Sequence, residues 1–150
     1  MIVIREAVAG ESRTISSFQV MMARETENLG LDPEVVERGV LGVFEDPSRG
    51  CYFVAETGGS IAGSLLVTYE WSDWRNSTIL WLQSVYILPQ YRNRGIFRKL
   101  YEFIKQLVNE TPGYGGIRLY VDKGNEKAIR VYRQIGMNDN HYKLFEWMPE

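Results

Sequence analysis

The spacing of apolar residues changes period several times along the chain, and each change marks an element. Residues 2–7 alternate well enough to predict a strand. Over residues 11–28, Ile15, Phe18, Met21 and Met22 fall at helical spacing, and "NLG" closes that helix. A second helix starts at Asp32, an N-cap followed by Pro33 at the first helical position, and stops before Asp46-Pro47. "CYFVAE" and "SIAGSLLVTYEW" read as strands joined by the tight-turn signal "TGGS". "STILWLQSVYIL" is the longest β-rich run, and Pro89 stops it.

From residue 95 to 109 the apolar set Ile96, Leu100, Phe103, Ile104, Leu107 and Val108 makes one helix face. "TPGYGG" reads as a loop, "IRLYV" as a strand and "NEKAIRVYRQIG" as a helix closed by Gly136. "HYKLFEWM" reads as a last strand. The order β-α-α-β-β-β-α-β-α-β predicts an α/β protein with a mixed sheet, in one domain spanning residues 1–150.

The chain has 150 residues, 45% of them hydrophobic and 24% charged, with a net charge of −2. No overall basic field points to nucleic acid, and no run approaches the length of a membrane span. Cys51 and His141 are single residues of their type, so neither a disulfide nor a Cys- or His-rich metal site is expected, and both are read as structural. The N-terminus lacks the apolar core of a signal peptide, so a cytoplasmic location is expected.

Against that neutral background the stretch "QYRNRGIF" stands out, with Arg92, Arg94 and Gly95 between a strand and a helix and Arg98 one residue beyond. The first N–H groups of a helix have no partner within it and carry the positive end of the helix dipole. Gly95 keeps the approach clear, and the arginines add charge-assisted bonds, so the turn suits a phosphate. It lacks the Lys-Ser/Thr of a nucleotide P-loop and the spacing of a dinucleotide fingerprint. The turn alone leaves open a phosphate site or a solvated helix start.

Together with "SVYILP" before it and "GNEKAIRVYRQIGM" after it, the turn resembles that of the GNAT N-acetyltransferase superfamily. Gln90 fills the first position of that family's Q/R-x-x-G-x-G/A motif, Asn93 replaces its first glycine and Gly95 keeps the second. Phe97 stands where a further small residue is usual. The stretch "VTYEWSDWRNSTILWLQSVYI" is similar to the polyamine and thialysine acetyltransferase branch. The resemblance implies a sheet of about six or seven strands flanked by four helices. It also implies acetyl-CoA as co-substrate without a metal, a small-molecule amine as acceptor, and a homodimer.

The family's roles fall on particular residues here. Val85, Tyr86 and Ile87 occupy the strand segment that faces the thioester and pantetheine, near a bulge. Arg92, Asn93, Arg94, Gly95, Ile96, Phe97 and Arg98 form the diphosphate turn. Asn125 touches the coenzyme in the family and also reads as an ordinary N-cap. Tyr132 matches the general-acid tyrosine, although Ala128, Ile129, Tyr132 and Ile135 also form an apolar helix face. Gln83 stands where the polyamine-type relatives carry a glutamate base, so either a water chain ending at a carboxylate such as Glu27, Glu70 or Asp73 takes the proton, or the amine arrives neutral. "RETENLGLD" and "YEWSDW" are expected to flank the acceptor, with carboxylates that include Glu25, Glu27, Asp32, Glu70 and Asp73, and with Trp71 and Trp74 for a cationic amine. A protein amine acceptor and a coenzyme A-binding module with little catalysis are the alternatives.

Overall fold

A computed structural model describes residues 1–150. The chain divides into two units, Met1–Leu119 and Tyr120–Glu150. No helix is long and apolar enough to cross a membrane.

The first unit holds one sheet, in which β1 (Ile2–Glu6), β2 (Cys51–Thr57), β3 (Ser60–Ser72), β4 (Ser77–Ile87) and β5 (Tyr114–Arg118) lie in chain order. The first four are antiparallel; β5 is parallel to β4, reached through the helix α3 (Ile96–Glu110). A parallel neighbour requires such a crossover. Helices α1 (Ser12–Glu27) and α2 (Pro33–Glu45) occupy the other connection. Asp32 caps α2 by accepting from the Glu34 N–H at 3.0 Å, as the Asp-Pro pair predicts.

Alternation along the strands sorts side chains onto two faces. On one, Tyr52 and Val54 pack with Ile15 of α1 and Val40 of α2, and the Tyr52 ring stacks on Phe44 at 5.7 Å. On the other, Phe53 meets Phe103 of α3 at 5.6 Å. The buried residues Leu100 and Ile104 belong to the face predicted for α3. The result is three layers, helix–sheet–helix, around Val54, Leu65, Val67 and Leu80.

In the second unit, α4 (Glu126–Gln134) begins at Asn125, whose side chain accepts from the Ala128 N–H at 3.2 Å. It closes before Gly136, at φ 96°.

Two strand expectations are corrected. The "TPGYGG" loop and "IRLYV" strand are displaced, because β5 begins at Tyr114 and ends at Arg118. Gly115 is a packing glycine: a Cβ there would overlap the Ser77 side chain, so the bare backbone lets β5 close against β4. The sheet has five strands rather than six or seven, since "HYKLFEWM" forms no strand. Its alternation lacks a pairing partner, and Phe145 and Trp147 are 90% and 85% exposed. A strand pattern without a ladder does not hold a strand. His141 lies in this same irregular segment.

Candidate active site

The geometry begins with a misfit between β3 and β4. Ser64 pairs with Tyr86 and Leu66 with Gln83, so two steps along β3 oppose three along β4. The extra residue is accommodated at Ser84, which takes φ 52°. This is a β-bulge, and it reverses the alternation beyond it. Leu80 and Leu82 are buried facing α3's side; without the bulge Tyr86 would follow them. Instead Tyr86 turns toward α1, with its ring 5.6 Å from Phe18.

The same strand loses its other neighbour. β5 pairs with β4 only from Thr78 to Trp81, so from Leu82 to Ile87 no strand lies along that edge. Backbone N–H and C=O groups on an unpaired edge are available to a ligand. Val85, Tyr86 and Ile87 all lie in this segment.

Beyond Pro89 the chain makes one 3₁₀ turn, Pro89–Tyr91, and enters the basic loop. Asn93 stands at φ 65° and Gly95 at φ 73°. Asparagine is among the few side-chain-bearing residues that tolerate this region, which explains how it replaces a glycine. Gly95 is also the N-cap of α3, with no side chain capping the helix. No heavy atom lies within 4 Å of where a Cβ would stand on it, so the helix start is open. Ile96 is buried, leaving only its backbone to face the turn, while Arg94 and Arg98 are exposed. The Arg94 guanidinium lies 5.6 Å over the Tyr91 ring, and Phe97 is 6.4 Å from Tyr101.

Arg92 is engaged differently. Its Nε donates to the Ile87 carbonyl at 2.9 Å, and Nη2 donates to Glu25 Oε2 at 2.7 Å. Glu25 Oε1 accepts from the Tyr86 hydroxyl, also at 2.7 Å. The bond from Arg92, then that from Tyr86, holds the Glu25 carboxyl below its ordinary value. Burial, followed by the hydrogen bond to Glu25 and then its charge, pushes the Tyr86 phenol up to about 12. Tyr86 therefore keeps its proton and donates a lasting hydrogen bond to Glu25.

On the face shared with α1 and α2, the outer part of β3 and β4 carries a polar stripe. Gln83 Nε2 donates to Thr68 Oγ1 at 2.5 Å. Glu70 Oε1 accepts from Trp81 Nε1 and from Arg118 Nη1, both at 2.8 Å, tying three strands together. The Trp81 bond, and after it Arg118, lowers the Glu70 pKa. A group with a depressed folded pKa stabilises above its unfolded pKa and loses that contribution as pH falls through the folded value. The stability gap between the parent and Glu70→Gln is therefore expected to narrow below about pH 4.5, the ordinary carboxylate value. Denaturant unfolding at several pH values checks this, and a gap independent of pH would count against an ionised Glu70.

Trp71, Asp73 and Trp74 sit at the β3–β4 hairpin, with Trp71 63% and Trp74 89% exposed. Asp73 accepts from the Trp74 N–H at 2.9 Å. Glu27 is the exposed last residue of α1. Cys51 lies in β2, and burial pushes its thiol up to about 11, well away from a reactive thiolate. Within the second unit, Tyr132 lies on α4, and burial raises its pKa.

Sequence reasoning named Glu25 only as part of an acidic wall and passed over Thr68, Trp81 and Arg118. A signal for Glu25 was present: it lies seven residues, two helical turns, after Phe18, and so continues the buried stripe of α1. Thr68 and Glu70 likewise share one face of β3 by alternation. Their partners were illegible without the register.

A bulged, half-unpaired strand thus leads directly into an open helix start. The model of the acetyltransferase (GNAT) family matches residues 18–137. The chain belongs to this family, and it is an acyltransferase. It is 33% identical over 146 residues to a thialysine N-epsilon-acetyltransferase of Mus musculus, covering 91% of this chain and 84% of that one. Among solved structures, a possible acetyltransferase from Clostridium difficile 630 is 37% identical, with a TM-score of 0.93 over 100% of this chain and 99% of that one. A predicted acetyltransferase from Clostridium acetobutylicum, solved with acetyl-CoA, shares the fold at 16% identity, with a TM-score of 0.78 over 97% and 96% of the two chains.

Proposed function

We propose that the chain moves the acetyl group of acetyl-CoA onto a primary amine of a small molecule, such as a polyamine or an amino acid. One observation carries this reading. The bulge at Ser84 opens into an unpaired strand edge that runs directly into the left-handed turn at Asn93 and Gly95. A coenzyme thioester needs a donor at its carbonyl oxygen and a seat for its diphosphate, and one continuous stretch of backbone offers both. The open space at Gly95 fits the diphosphate, with Arg94 and Arg98 adding charge.

In this scheme the amine nitrogen attacks the thioester carbon and the C–S bond breaks. Backbone N–H groups among Val85, Tyr86 and Ile87 stabilise the oxyanion, and Tyr132 hands its proton to the departing thiolate. Burial keeps the Tyr132 phenol protonated at neutral pH, which suits an acid. Asn125 serves the coenzyme as well as capping α4. An alkylammonium with a pKa near 10.4 must first lose a proton. Gln83 is occupied with Thr68, and Glu70 is held by Trp81 and Arg118, so that proton goes to solvent or to the exposed carboxylates Glu27 and Asp73.

The acceptor class rests on two supports. The Mus musculus relative is named for acetylating an amine of thialysine, and exposed Trp71 and Trp74 flank Asp73 in a manner that suits a cation. Thiol release from acetyl-CoA, measured against polyamines, amino acids, thialysine and short peptides, tests the reading. Release that depends on the small amines is the expected result. Release with peptides alone would move the acceptor to proteins, and silence with intact coenzyme binding would make the chain a binding module.

A further inference from the structure

We infer that Glu25 is a positioning residue that sets the coenzyme turn by holding Arg92 and Tyr86 together, an inference that rests on the acetyl-CoA reading above. The carboxylate bridges three elements that the sequence keeps far apart: the last turns of α1, the strand end beyond the bulge, and the basic loop. One oxygen accepts from Tyr86 Oη and the other from Arg92 Nη2, each at 2.7 Å. Arg92 closes the circuit by donating from Nε to the Ile87 carbonyl and lying 5.4 Å over the Tyr86 ring. Two of the three guanidinium nitrogens of Arg92 therefore bond within the protein. The residue that looks most like a phosphate hand acts instead as a strut between the β4 edge and the turn.

Burial separates the two contacts of Glu25, one stabilising and one positioning. Tyr86 is only 4% exposed, so its hydroxyl needs a partner, and Glu25 supplies it. The Glu25–Arg92 pair itself is solvent-facing, with side chains 37% and 36% exposed. Pairs of that kind add little to global stability. What the arrangement does fix is direction: Asn93, Arg94 and Gly95 follow Arg92 immediately, so the angle at which the loop leaves β4 is set where Arg92 is held. The side-chain hydrogen bonds of Glu25 go to Tyr86 and Arg92, so it acts on the turn through Arg92.

Calorimetric titration with coenzyme A reads this without turnover. Glu25→Ala is expected to weaken coenzyme A about tenfold, the scale of one lost charge-assisted bond, while the thermal midpoint falls by the few degrees that one unpartnered Tyr86 hydroxyl accounts for. Glu25→Gln should recover most of the affinity, because its amide oxygen accepts from Arg92 and its N–H₂ donates to Tyr86 Oη. In an Arg92→Ala background, Glu25→Ala should add nothing further.

Unchanged or tighter binding in Glu25→Ala would overturn the inference, tighter binding meaning that the carboxylate merely competes with phosphate for Arg92. Independent, multiplying losses in the double variant would also overturn it. Should Glu25→Ala not fold, Glu25→Gln decides together with Glu25→Asp, whose shorter arm should bind coenzyme A more weakly than the glutamine variant. A parent protein that binds no coenzyme A would instead refute the acetyl-CoA reading, so the two failures are distinguishable.

Discussion

Tyr132→Phe is expected to lower kcat by about 10²- to 10⁴-fold, the range for loss of a positioned acid, with the KM for acetyl-CoA nearly unchanged. The substitution removes one oxygen and keeps the ring, so the apolar face of α4 that Ala128, Ile129 and Ile135 share with Tyr132 retains its shape. Burial raises the Tyr132 pKa above the ordinary phenol value of 10.0. The proton is therefore in place throughout the neutral range, and the parent's kcat should fall only at pH values above that figure. The variant should lack this basic limb. A kcat within twofold of the parent would return Tyr132 to a packing role and leave the leaving group to solvent.

The second large effect is expected at a residue that has no side chain. Gly63 in β3 pairs with Ile87 beside the bulge. A Cβ there would stand 2.5 Å from Ile87 Cδ1, 2.7 Å from the Tyr86 carbonyl oxygen and 3.3 Å from Ile87 Cα. Two of these atoms belong to the backbone and cannot rotate aside, so Gly63→Ala must push β4 away from β3. Overpacking of this kind costs about 1–3 kcal/mol of stability. The displaced segment is the one proposed to hold the thioester, and a shift approaching 1 Å lowers turnover about 10²-fold. Urea unfolding and steady-state kinetics on the same preparation separate the two consequences. A stable variant with parental kcat would show that the Val85–Ile87 backbone tolerates displacement and does not stabilise the oxyanion.

The helices were legible because their signals are local. Asp32-Pro33 caps α2, the i, i+4 stripe from Ile96 through Leu100 and Ile104 builds α3, and Asn125 caps α4. The turn was legible for a similar reason: Asn93 and Gly95 are residue types that accept positive φ, and both adopt it. The two strand errors share a different cause. Gly115 and Gly116 resemble loop residues until Ser77 is seen against the first and Ile79 against the second, and "HYKLFEWM" alternates like a strand although no ladder holds it.

What the sequence determined by itself is the first four strands and three helices of Met1–Leu119, the helix α4, the openness of the turn at Gly95 and the GNAT resemblance on which the family match later fell. Each depends on interactions spanning a few residues or on a motif read in one stretch. Only the tertiary structure decided where β4 bulges, which way Tyr86 faces, and that Arg92 is held by a glutamate 67 residues away. A bulge is a mismatch in register between two strands, and nothing in "QSVYI" alone distinguishes an extra residue from ordinary alternation. A long-range ion pair is likewise set by how α1 and β4 pack, which local periodicity does not encode.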